Sequence, residues 1–227
     1  MPALLEIEDV HTYFSTKEGI VKAVNGVSLS LDENSVLGVV GESGSGKTMT
    51  ALSVLQLVPF PGEVVAGKIT YDGQDLLAMP TSKLRRIRGK EISLIFQDAG
   101  AALNPVISVG KQVEELMLEH TDMSKRQARS FSSVLLSQMG IPDANEMLDR
   151  YPFQLSGGMA QRVLLAIGVA LKPRILIADE PTSNLDVTLQ AEILHRLRML
   201  REENGTAILL ITHDLGVIAQ MAETVAV

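Results

Sequence analysis

The spacing of apolar residues changes period several times along the chain, and each change marks an element. Residues 4–14 interleave Leu5, Ile7, Val10 and Tyr13 with polar neighbours, which predicts a strand, and a second β segment follows over 21–31. Residues 36–40 form an unbroken apolar run, short enough for a buried strand, that delivers the chain into a glycine-rich stretch at 41–48. From 49 to 58 the pattern is that of an apolar helix stopped by Pro59, Pro61 and Gly62. Ile69-Thr-Tyr before Asp72-Gly73 predicts a β-hairpin, and residues 91–97 a further strand. Beyond Gln97 the pattern turns helical. Ser124 with Gln127 makes a capping box, Gly140 can end that helix and Pro142 blocks its return, so a helical lobe of about fifty residues is inserted here. Strand, helix and strand then resume at 175–179, 188–203 and 207–212. Such alternation predicts an α/β fold with a mostly parallel sheet and helices on both faces.

Composition narrows this picture. A chain of 227 residues with 46% hydrophobic content can bury one large core, or a core with an inserted lobe. The formal charge of −7 opposes an extended grip on nucleic-acid phosphates, and the basic run of Lys83, Arg85, Arg86, Arg88 and Lys90 reads first as a solvated helix face. Cysteine is absent, which leaves neither disulfides nor thiolate metal sites and agrees with a reducing compartment. The longest apolar runs, 163–171 and 207–211, fall short of the roughly 18 to 20 residues that span a bilayer. The first ten residues lack the basic and apolar parts of a secretory signal, so the expected location is cytoplasmic.

The chemistry concentrates at a few points. Gly41-Glu42-Ser43-Gly44-Ser45-Gly46-Lys47-Thr48 fits the phosphate-loop pattern G-x-x-x-x-G-K-[ST] without deviation, between a predicted strand and a predicted helix. Its glycines let backbone N–H groups turn inward around phosphate oxygens at the positive end of the following helix. Lys47 is then placed for the β- and γ-phosphates and Thr48 for Mg²⁺. The strand at 175–179 ends in two carboxylates that can divide the work: Asp179 to hold the metal, Glu180 to polarise an attacking water as general base. Gln97 and His213 end neighbouring predicted strands, whose ends converge on one crevice in a parallel sheet. A lone histidine reads more readily as a cap or a surface residue, and it is the set of four that gives His213 a catalytic reading. Gln97 can orient water or metal.

The segment Leu155-Ser156-Gly157-Gly158-Met159-Ala160-Gln161-Arg162, ahead of the acidic strand, is where the chain resembles the ATP-binding cassette family. Ser156 is also a good helix N-cap on its own. The resemblance covers essentially the whole chain. It implies a phosphate-loop NTPase (RecA-like) core with an antiparallel β subdomain in 1–97, a helical subdomain in 98–154, and the signature helix with the second part of the core in 155–227. It further implies that ATP and Mg²⁺ are the cofactors, that Ser156, Gly157 and Gly158 face the nucleotide of a second ATP-binding subunit, and that Asn184-Leu185-Asp186 is the D-loop. Gln97 matches the Q-loop and His213 the switch histidine; Phe14, or Tyr13 beside it, is the aromatic that stacks on adenine. Ala23-Val-Asn-Gly-Val-Ser, Ile95-Phe-Gln-Asp and Ile211-Thr-His-Asp-Leu-Gly-Val look like the oligopeptide, dipeptide and nickel importer branch. That likeness implies a peripheral ATPase at the cytoplasmic membrane face that pairs with transmembrane permease subunits, binds no nucleic acid and is C-terminally truncated beside its relatives. A non-transport cassette ATPase acting on nucleic acid or ribosomes is the rival reading.

Overall fold

The computed structural model describes residues 3–183 and 185–227. The first part of the chain contains β1 (Leu5–Thr16), β2 (Gly19–Leu31), β3 (Val36–Val39), α1 (Lys47–Val54), β4 (Gly62–Tyr71), β5 (Gln74–Asp75), α2 (Thr81–Ile87) and β6 (Ile92–Ile95). Helices follow without a strand between them: α3 (Ala99–Ala102), α4 (Val109–His120), α5 (Lys125–Gln138) and α6 (Ala144–Met147). A short 3₁₀ turn at Pro152–Gln154 leads into α7 (Gly157–Val169), β7 (Ile175–Asp179), α8 (Val187–Asn204), β8 (Ala207–Ile211), α9 (Leu215–Met221) and β9 (Thr224–Ala226).

Two sheets result. One is antiparallel in the order β2-β1-β4-β5, the other parallel in the order β6-β7-β8-β3-β9. The apolar runs of β7 and β8 are continuous because both faces of the parallel sheet are covered. Ile175, Ile177, Leu209 and Ile211 enter one core with β1, β2, β4 and α1, while Leu176, Ala178, Ile208 and Leu210 enter another with α4, α5, α7, α8 and α9. Strand alternation therefore sorts side chains between two cores rather than between core and water. Full burial of each such Ile or Leu contributes about 1.5–3 kcal/mol. At Gly38 the sheet meets α9 so closely that a Cβ would lie 2.6 Å from Ile218 Cδ1.

Several boundaries differ from the sequence expectation for identifiable reasons. β4 begins at Gly62 rather than near Ile69, because pairing with β1 (His11↔Ala66, Phe14↔Gly62) defines its exposed half, where alternation is weak. The hairpin at Asp72-Gly73 forms as expected, with both residues at positive φ (48° and 73°). α1 stops at Val54, before 58, and the carbonyls just past its end are capped from a distance: Arg88 donates through Nε to Leu55 O at 2.9 Å and through Nη2 to Gln56 O at 3.0 Å. Arg88 thus leaves the solvated basic face, and burial lowers its pKa. Arg85 of the same run pairs with Glu119 of α4 at 3.1 Å. The capping box of Ser124 and Gln127 is present at α5. Among the described residues no helix is long and apolar enough to cross a membrane.

Candidate functional site

The strand order brings the carboxyl ends of β6, β7, β8 and β3 side by side, and the residues after those ends are Gln97, Glu180, His213 and the loop at 41–46. α1 starts on this loop without a side-chain cap and with no acidic residue in its first turn; its N-cap is Gly46 at φ 94°. A side chain cannot fit there, because a Cβ would run into the Ala23 carbonyl of β2. Helices α3, α5, α7, α8 and α9 all begin with a capping serine or aspartate. α1, like α2, α4 and α6, has no side-chain cap, and among these it is the helix that opens on the glycine loop at the sheet's carboxyl edge, an arrangement that receives an anion. Lys47 meanwhile turns back on the loop and donates to Gly41 O at 2.7 Å and Glu42 O at 2.8 Å.

Asp179 shares the face of Ile175 and Ile177, so alternation aims its carboxylate at the α1 side of the sheet. It is 2% exposed, and its Oδ1 has no hydrogen-bond partner among the described residues. Burial pushes its carboxyl above the ordinary range; a hydrogen bond with Thr48 and the charge of Lys47 oppose that rise, and neighbouring Glu180 adds to it. A buried, under-coordinated carboxylate oxygen beside a threonine hydroxyl fits a hard divalent cation that shares its remaining sites with phosphate and water.

Glu180 stands one residue past the strand at φ 49°, a left-handed conformation that is costly outside glycine and persists only where contacts over-determine it. Those contacts are specific. The backbone N–H donates to Ile211 O at 2.8 Å, while Oε1 accepts from the His213 N–H at 3.0 Å and lies 2.8 Å from His213 Nδ1. Oε2 accepts from the Thr212 hydroxyl at 3.3 Å. A carboxylate offers about four acceptor positions, so one remains for a water molecule.

The other predicted site residues are not drawn into this cluster. Gln97 is exposed beyond β6. Ser156 caps α7, accepting from Met159 N at 3.3 Å, and among the described residues no hydrogen bond joins it to the loop of its own chain. Gly157 is exposed, with open space where a Cβ would project, whereas a Cβ on Gly158 would lie 2.6 Å from Leu189 of α8. Asp186 caps α8 by accepting from Leu189 N at 3.0 Å, and Asn184 lies outside the described residues. Phe14 faces α1 together with Thr12, whose hydroxyl pairs with Ser53 at 2.7 Å; its ring borders Gly62 and Val58. Tyr13 faces the other way and donates to Asn25 at 2.8 Å.

Two residues of this region escaped sequence reasoning. Thr212 anchors Glu180 and was readable only as a polar residue next to His213. Gln161 is buried and donates to Pro181 O at 2.9 Å, but in sequence it is one polar residue on an apolar helix.

Comparison with known proteins points the same way as the geometry. The family described as "ABC transporter" matches residues 24–183. The chain is 44% identical over 225 residues to the oligopeptide transport ATP-binding protein OppD of Bacillus subtilis (strain 168), covering 99% of this chain and 63% of that protein. It is 45% identical over 228 residues to the dipeptide transport ATP-binding protein DppD of the same organism, covering 100% of this chain and 68% of that one. It therefore spans about two thirds of the length of these curated relatives. Among solved structures, the dimeric post-hydrolysis state of the ATP-binding cassette MJ0796 bound to ADP and Pi superposes with a TM-score of 0.84 at 27% identity, over 94% of this chain and 89% of that one.

Proposed function

The chain belongs to the ABC transporter family, and we propose that it is the ATP-binding and ATP-hydrolysing subunit of an importer, closing as a dimer around two ATP molecules. The observation that carries this reading is Glu180, which Thr212 and His213 hold by the carboxylate beside an uncapped phosphate loop. In this reading the N–H groups of 41–48, with Ser43, Gly44 and Ser45 at the loop's tip, bind the phosphates. Lys47 releases Gly41 and Glu42 and turns to the β- and γ-phosphates. Glu180 accepts a proton from the attacking water, and Lys47 and His213 offset charge on the transferring phosphoryl group. Thr48, Asp179 and Gln97 are the residues that would hold Mg²⁺, which when bound neutralises the developing charge. Phe14 stacks on adenine: β2 passes the loop at Ala23, and Phe14 pairs with Val21 close by on β1.

Ser156, Gly157 and Gly158 serve the nucleotide of the partner subunit, as the exposure of Ser156 and Gly157 at the start of α7 allows. Asp186 lies in the same interface. The unit divides at 1–97, 98–154 and 155–227, and the helical stretch 98–154 passes closure to membrane-embedded permease subunits at the cytoplasmic face. Peptides are the proposed cargo, because the relatives named above are oligopeptide and dipeptide transport proteins.

The test is Glu180→Gln. It should bind ATP with unchanged affinity, hydrolyse it at least a hundredfold more slowly, on the order of the loss expected for a general base, and elute as a stable dimer in ATP. Normal turnover by this variant would remove Glu180 from the role of base.

A further inference from the structure

α7 is apolar around most of its surface, and Gln161 is its one buried polar side chain, 6% exposed among Ala160, Val163, Leu164 and Leu165. A buried amide is costly unless paired. Gln161 Nε2 donates to the carbonyl of Pro181, the residue directly after Glu180, at 2.9 Å. Pro181 has no N–H, so this carbonyl is its only backbone hydrogen-bonding group. The segment turns sharply here, with Ser183 N donating to Glu180 O at 3.1 Å. Among the described residues Gln161 provides the only side-chain hydrogen bond to 181–183. Glu180 is thus held on its strand side by Ile211 and His213, and the residue that follows it, Pro181, is held by Gln161.

Gln161 also sits five residues past Ser156, about 7.5 Å along the helix axis. Where α7 seats itself is therefore felt directly by the backbone that carries Glu180. Resting on the reading of Glu180 as base and of Ser156 as a contact to the partner's nucleotide, we infer that Gln161 is a positioning residue. It sets the left-handed backbone of Glu180 according to the seat of α7, and so ties hydrolysis in a subunit's own site to engagement of its signature helix by the other nucleotide.

Gln161→Met keeps an unbranched side chain of similar volume and removes the donor. Its kcat for ATP should fall about tenfold or more, the scale of one misplaced catalytic group, while KM and the calorimetric ATP affinity change by less than about twofold, because Gln161 touches no nucleotide. The Hill coefficient for ATP should fall toward one. Wild-type kcat in this variant overturns the inference; so does a parallel loss of kcat and affinity, which would mark Gln161 as support for the fold alone. Gln161→Glu gives a second readout. A protonated carboxyl donates to Pro181 O and an ionised one repels it, so kcat relative to wild type should recover from mildly alkaline to mildly acidic pH, and a profile parallel to wild type counts against the bond. Glu180→Gln, assayed beside them, separates the two readings. If it is inactive and Gln161→Met is unimpaired, only the positioning role fails; if it turns over normally, the assignment of the base fails and this inference with it.

Discussion

Nδ1 of His213 lies 2.8 Å from Oε1 of Glu180, and that same oxygen accepts the backbone N–H of His213 at 3.0 Å. With a carboxylate as acceptor, Nδ1 carries the proton, which leaves Nε2 as the ring nitrogen turned away from Glu180. The His213 side chain is 68% exposed, so its place is set by this contact and not by packing. His213→Ala should keep ATP affinity within about twofold and lower kcat on the order of a hundredfold, because the base and a charge-stabilising donor are disturbed together. Steady-state kinetics with calorimetry on the same preparation check it.

Asp179 predicts a trade between stability and activity. Its carboxyl is pushed above the ordinary 3.8 by burial, so the folded chain holds this proton more tightly than the unfolded chain does. Stability from this group is therefore greatest below 3.8 and is lost as pH rises through the elevated folded value. Asp179→Asn should raise the nucleotide-free unfolding free energy at neutral pH by about 1 kcal/mol, with the gain shrinking in acid, and should remove Mg²⁺-dependent hydrolysis. Denaturant titrations across pH, with an unchanged midpoint at neutral pH as the contrary result, decide the first half.

The two signature glycines should separate interface from fold. A side chain at Gly157 projects into open space, so Gly157→Asp should leave the unfolding free energy within about 0.5 kcal/mol and abolish the ATP-dependent dimer in the Glu180→Gln background. A side chain at Gly158 meets the end of Leu189 on α8; a methyl needs only that flexible end to shift, whereas Gly158→Leu should cost about 1 kcal/mol or more of stability by overpacking. Equal stability loss in both variants would remove the distinction.

Phe14 and Tyr13 are one residue apart and face opposite sides of the antiparallel sheet. Phe14→Ala should raise KM for ATP about tenfold, the scale of one lost stacking contact, and leave kcat nearly unchanged. Tyr13→Ala loses its bond to Asn25 and should affect stability more than KM. The reverse pattern would move the adenine platform to Tyr13.

Much of the site was legible because its signals are local. A strand, a glycine loop and a helix are consecutive in the chain, and so are an apolar strand and the two acids that end it. Ser124 and Ser156 cap helices within a few residues of themselves, so their reading needed no tertiary information. β4 was half missed because its exposed part is defined by partners on β1. In sequence Arg88 is one member of a basic run and reads as part of a solvated face, while the carbonyls it caps lie just past the end of a helix more than thirty residues earlier.

The sequence by itself determined that this chain has a phosphate loop, an acidic strand end and a signature helix, since each is a short pattern of side chains and glycines with its own chemistry. Tertiary structure alone decided which way those groups face. The side-by-side placement of β7, β8 and β3 sets His213 against Glu180, turns Asp179 toward Thr48 and brings Gln161 under Pro181. Contacts of that kind join residues that are distant along the chain, and the packing of two cores on one sheet is what makes them neighbours.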